Sequence, residues 1–220
     1  MRHFSLELEG LHGRLLQMGG LVESAIRKSV RSLVDRDRNV AEQVFQDEDR
    51  INQLEIEIDN LGTRLLALHQ PVARDLRFLT AALKINTDLE RMGDLAVNIA
   101  ERALSLLAFA PIKPLIDIPR MASLVEAMLL RSLDAFVKGD ADIARAVLLS
   151  DDEVDDLRDA IYKELVTFMQ QDPTTVLCAV DLMFVARDLE RIADHSTNIA
   201  EDVVYLVQGI DVRHRAVESL

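Results

Sequence analysis

The chain has one cysteine, no tryptophan, five prolines and eight glycines in 220 residues. A lone thiol excludes internal disulfide stapling, and its setting in the apolar run TVLCAVDLMFV makes Cys178 a small core residue rather than a nucleophile. Aromatics supply only 4% of the chain while leucine, alanine, glutamate and arginine abound, which points to an all-α fold. No stretch of about 18 apolar residues occurs, so no membrane insertion is expected. The opening MRHFSLELEG lacks the uninterrupted apolar segment of a secretory signal. A cytoplasmic location follows as an expectation, with peripheral attachment at the inner membrane face through partner proteins left open.

Positive charge is also in short supply. Lysine and arginine number 25 against 38 acids, a formal charge of -13, which repels nucleic-acid backbones; no basic stripe or aromatic platform overrides it. Nucleic-acid binding is therefore disfavoured, and cations or basic protein surfaces suit the chain better. What is plentiful is apolar surface. At 49% hydrophobic residues, the chain can bury a sizeable core as one large domain or two small ones.

The sequence is written twice. TDLERMGDLAVNIAE from Thr87 recurs as RDLERIADHSTNIAE from Arg187, a displacement of 100, while LVESAIRKSVRSLVDRDRNVA from Leu21 aligns with LVEAMLLRSLDAFVKGDADIA from Leu124, a displacement of 103. Asp37 matches Asp140 in the second pair. The change from 103 to 100 puts a three-residue loss between the blocks, near the prolines Pro71 and Pro173, where loops accept it. Breaks at VDRDRN and VKGDAD, and at HQPVARD and QQDPTTV, divide each half into three helices. Two tandem three-helix bundles related by an internal repeat are expected. Residues 1–110 form the first, 111–119 a connector stiffened by Pro111, Pro114 and Pro119, 120–210 the second, and 211–220 a tail.

Ala82, Ile85, Leu89, Met92, Ala96, Ile99, Ala103 and Leu106 follow alternating spacings of three and four, the seam of a bundle. At about 100° per residue, Glu90, Asp94, Asn98 and Glu101 share an arc of roughly 80° lying about 150° from that seam. Glu190, Asp194, Asn198 and Glu201 repeat the stripe. On the preceding helix Glu48, Asn52, Glu55 and Asp59 share an arc of about 60°; the displacement of 103 puts Asp151, Asp155, Arg158 and Tyr162 at the corresponding places. Inward positions change between copies, Met92 to Ile192 and Ala103 to Val203, while the outward acids are the same.

Acids four apart on an exposed helix are ordinarily just solvated, yet like charges at that spacing cost a few tenths of a kcal/mol per pair. Two such stripes side by side invite a cation. Carboxylate and amide oxygens are hard ligands, suited to Mg²⁺, Mn²⁺, Ca²⁺ or iron, with zinc admissible. The Glu-x-x-His pairs of di-iron bundles are absent, and His195, about 140° from Glu190 around the helix, reads as a packing or surface residue. No nucleotide-binding, nucleophile-elbow or zinc-protease motif occurs. A non-enzymatic binding protein is the leading reading. The alternatives are a metal-dependent hydrolase using carboxylate-bridged ions and a purely structural protein with solubilising acids.

Across essentially its whole length the chain resembles the PhoU family of phosphate-signalling regulators, through HQPVARDLR and LKINTDLERMGDLAVNIAE in the first half, ARDLERIADHSTNIAEDVVYLVQGIDVRH in the second, and the twofold repeat. The resemblance implies a six-helix fold of two antiparallel bundles. It also implies multinuclear metal sites, iron or zinc foremost, on Glu/Asp-x-x-x-Asp motifs. These carry over to Glu55 with Asp59, Glu90 with Asp94, Asp151 with Asp155 and Glu190 with Asp194. Asn98, Glu101, Asn198 and Glu201 flank them, Glu48 and Asn52 join the candidate ligands from their place on the acidic arc, and Arg158 and Tyr162 depart from the pattern. By the same resemblance the function is negative regulation of the phosphate-starvation response and of phosphate uptake. The partners implied are the phosphate ABC transporter's ATPase subunit and a sensor histidine kinase. A homodimer is a further expectation.

Overall fold

The computed structural model describes residues 2–212, and every regular element among them is helical. The first bundle contains α1 (Arg2–Asp35), α2 (Arg38–His69) and α3 (Ala73–Leu106). The second contains α4 (Asp117–Lys138), α5 (Ala141–Leu148), α6 (Asp151–Gln171) and α7 (Val176–Gln208), with a 3₁₀ turn at Pro173–Thr175. Of the expected tail, residues 213–220 lie outside the described residues.

The repeated aspartates explain the repeated turns. Arg36 adopts a left-handed φ of 56° to end α1, and Asp37 accepts a hydrogen bond from Asn39 N at 2.8 Å to begin α2. In the second copy Gly139, at φ 62°, ends α4, and Asp140 accepts from Asp142 N and Ile143 N at 2.9 and 3.2 Å. Both aspartates are N-caps that satisfy otherwise orphaned amides. The three-residue loss is also visible. Pro173, the counterpart of Ala73, directly follows Asp172, the counterpart of His69, so Gln70, Pro71 and Val72 have no equivalents.

Two expectations are corrected. The middle helix of the second bundle is not continuous but breaks between α5 and α6 at Leu149 and Ser150. There Ser150 N bonds the Val147 carbonyl at 2.9 Å and Ser150 Oγ the Ala146 carbonyl at 2.9 Å. Ser150 competes with the helix for its own backbone, and Asp151, Asp152 and Glu153 then favour a new helix amino terminus. The connector is also displaced, running over residues 107–116 rather than 111–119. Pro119 lies in the first turn of α4, where the missing N–H costs nothing.

The seam residues Ala82 to Leu106 are all buried, as are their counterparts Leu182, Val185, Leu189, Ile192, Ser196, Ile199, Val203 and Leu206. Each large aliphatic side chain withdrawn fully from water contributes about 1.5–3 kcal/mol. The two halves share one continuous apolar core, so the proline connector is not a free joint between separate bodies. α3 packs antiparallel on α7, tied by Arg102 to Asp181 at 3.1 Å, Lys84 to Asp202 at 2.7 Å and His195 Nδ1 to Asp88 Oδ1 at 2.8 Å. His195 is thus a packing residue of the inter-bundle seam, with 8% of its surface exposed.

Candidate functional site

In the first bundle the acids line the groove between α2 and α3. Glu48, Asn52, Glu55 and Glu90 are half-buried there, with Asp59, Asp94, Asn98 and Glu101 exposed beside them. Partial burial, followed by repulsion from Asp94, Asp49 and Glu101, raises the Glu48 carboxyl above its ordinary range; a hydrogen bond from Asn52 opposes the shift. Glu90 rises likewise, through burial and then Asp94 and Glu55, against the pull of Arg91. Six carboxylates from two helices, Glu48, Asp49, Glu55, Glu90, Asp94 and Glu101, therefore share one field. Asp59 is drawn aside by the buried Asn86, whose Nδ2 donates to Asp59 Oδ1 at 3.2 Å and to the Glu55 carbonyl at 3.0 Å.

The corresponding groove of the second bundle, between α6 and α7, contains Asp151, Asp155, Glu190 and Asp194. Burial and the charges of Asp194, Asp155, Asp152 and Glu190 push Asp151 up to about 6. Asp194 and Glu190 are raised as well, first by burial and then by Asp155 and Asp194 respectively. Here, however, the groove holds a cation of its own. The Arg158 guanidinium reaches Glu190 Oε1 at 2.5 Å, Asp155 Oδ1 at 3.0 Å and Asp159 Oδ1 at 2.9 Å.

Two members of the second stripe turn elsewhere. Asn198 Nδ2 points at Asp88 Oδ1 at 3.4 Å, beside the His195 contact. Glu201 is half-buried beside Thr80, Lys84, Asp202, Tyr205 and Asp211, facing the other bundle. The oxygens of the first groove are of the right chemistry for a hard cation. Among the described residues, though, no three aspartate, glutamate, histidine or cysteine side chains converge into a ligand set.

Sequence reasoning missed the buried acids of the α3–α7 seam. Asp88, Asp181, Asp188 and Asp202 are all less than 10% exposed. Burial raises the Asp188 carboxyl, and Arg187 beside it, at 3.2 Å, pulls in the opposite direction. A signal was present, since Asp88 and Asp188 are identical in the two copies of the repeated segment.

A sequence model of the PhoU domain matches twice, over residues 15–103 and 118–203. The chain is 42% identical over 215 residues to the phosphate-specific transport system accessory protein PhoU homolog of Pseudomonas aeruginosa, covering 97% of this chain and 88% of that one. It is 41% identical to the Aquifex aeolicus protein of the same name, covering 97% and 96%. The crystal structure of PhoU from Pseudomonas aeruginosa superposes with a TM-score of 0.91 at 41% identity, over 94% of this chain and all of that one. That of the phosphate transport system regulatory protein PhoU from Streptococcus pneumoniae superposes at 0.87 and 31% identity, over 95% and 99%. Two copies of one helical unit, paired acidic grooves and these full-length matches together make the chain a member of the PhoU family.

Proposed function

We propose that the protein is a non-enzymatic regulator of phosphate homeostasis, acting as an accessory of a phosphate-specific transport system. In this reading it restrains phosphate uptake and the phosphate-starvation response when phosphate is plentiful. It does so by linking the transporter's ATPase subunit to a sensor histidine kinase, from the cytoplasmic face of the membrane. No helix among the described residues is long and apolar enough to cross a membrane, so contact with membrane-bound machinery would run through those partners. The names of the relatives support the transport association.

The observation that carries the mechanism is the crowding of carboxylates in the α2–α3 groove, with Glu48 and Glu90 raised by their neighbours. A field of that kind favours a metal ion, iron or zinc foremost and manganese or magnesium next, or the basic surface of a partner. The groove is open, unlike the enclosed pocket that a metal-dependent hydrolase requires. Co-purification of the tagged chain with the transporter ATPase and with the kinase, alongside a Glu90→Ala, Asp94→Ala variant, tests the reading. Retention of at least one partner by the wild type and its loss in the variant is expected. Failure to retain either partner, or metal-dependent turnover of a phosphate ester by the chain, would contradict it.

A further inference from the structure

The duplication creates two equivalent cavities with unlike chemistry. One, of about 560 Å³, lies where the start of α1, the start of α3 and the ends of α4 and α7 meet. The other, of about 220 Å³, lies between the connector, the start of α7 and the ends of α1 and α3. The repeat superimposes their linings: His12 corresponds to Leu115, Phe78 to Cys178, Val137 to Val34 and Leu206 to Leu106. The smaller cavity is closed in by Pro111, Ile112, Pro114 and Leu115, and its Arg36 is spent on the carbonyls of Leu107 and Phe109 at 3.2 and 2.8 Å. The larger carries Arg74 and Arg77 at the positions of Thr174 and Leu177.

We propose that the larger cavity binds a small organic phosphate of nucleotide size. Its volume falls within the range of about 300–1,000 Å³ usual for such ligands. The ion pairs of α3 run from Lys84 and Arg102; Arg74 and Arg77 make none among the described residues, although acids outnumber bases by 13 in the chain. Arg77 Nε donates only to the Leu206 carbonyl, at 3.4 Å, and guanidinium groups left in this state suit phosphate oxygens. Lys138, paired with Asp134 at 2.7 Å, completes the basic rim.

The floor supplies the second half of the recognition. Phe78 stacks on Phe136 at 5.5 Å, and the His12 ring lies 5.2 Å from Phe136. The apolar rings offer a bed for a planar group. Glu9 and Asp75 on the same lining are acceptors for hydroxyl groups such as those of a sugar. This would give the protein a small-molecule input, and it stands apart from the partner contacts proposed above.

Isothermal titration of the full chain in EDTA with ATP, ADP, AMP, adenosine and inorganic phosphate tests the proposal; the chelator removes any route through metal on the acidic grooves. ATP should bind saturably, one per chain, and Arg74→Glu, Arg77→Glu should weaken it by about tenfold or more with helicity unchanged. Arg31→Glu, Arg38→Glu, the same charge change at the opposite end of the bundle, should leave it intact. If the inverted pair does not fold, the exposed Arg74→Gln alone should weaken binding by about threefold. No saturable binding of any of the three nucleotides, equal binding by the arginine variants, or inorganic phosphate binding as tightly as ATP would overturn the proposal.

Discussion

The α2–α3 and α6–α7 grooves are built from two copies of one sequence, yet they solve the same electrostatic problem differently. Both bring carboxylates of two helices together, and both raise the pKa of some of them by partial burial and mutual repulsion. At the position of Glu55 the second copy has Arg158, whose guanidinium spans Asp155, Asp159 and Glu190. One groove therefore carries its own counter-ion, while the other must find it outside. The difference shows how a duplicated scaffold can keep its packing and divide its surface roles.

The comparison presumes that the two scaffolds are equivalent beneath their surfaces. Ile58 and its counterpart Ile161 are both buried, at 0% and 1% exposure. Truncating either to alanine should cost about 3 kcal/mol, measured by urea denaturation, and a large gap between the two would break the equivalence. Next in size, Arg158→Glu should make the second groove like the first. In chelator it should lower stability by about 2 kcal/mol, since it leaves the partly buried Glu190 and Asp155 and the exposed Asp159 unpaired and adds a further carboxylate. Addition of Mn²⁺ should recover part of that loss.

A smaller effect concerns pH. Asp151 stands at about 6 in the folded chain against an ordinary 3.8, so the folded state holds the proton more tightly than the unfolded one. Its contribution therefore lowers stability as pH rises from about 4 to about 6, and the penalty is complete at pH 7. Asp151→Asn should gain about 1 kcal/mol at pH 7 in chelator, allowing for solvent screening of a half-exposed group, with the gain vanishing near pH 3.5. The smallest change is expected for Glu90→Gln. In chelator it should shift stability by no more than about 0.5 kcal/mol, and added Mn²⁺ should stabilise it less than the wild type.

The fold was legible because its signals are periodic and repeated. Spacings of three and four gave the seam from Ala82 to Leu106, and Asp37 and Asp140 marked the same turn twice because a cap needs an acceptor at one position only. The break at Leu149 and Ser150 was not legible, because the alignment with an unbroken α2 argued for continuity and the competing Ser150 hydrogen bonds are local. Glu48, Glu55, Glu90 and Asp94, read from the helical arcs, do share one groove between α2 and α3. Helical angle alone could not separate Asn198 and Glu201, which turn toward the other bundle, from Glu190 and Asp194. Nor could it show that Asp88 and Asp188 face the partner bundle, since that depends on how the two halves dock.

The most direct test of the difference between the grooves is the Mn²⁺ stoichiometry of the chain by equilibrium dialysis, for the wild type and for two variants, Glu90→Gln, Asp94→Asn and Glu190→Gln, Asp194→Asn. The account predicts that the first pair abolishes most of the bound metal and that the second pair leaves it nearly unchanged, because Arg158 already occupies the α6–α7 groove with a positive charge. Equal loss in both variants, or metal retained by the first and lost by the second, would contradict it.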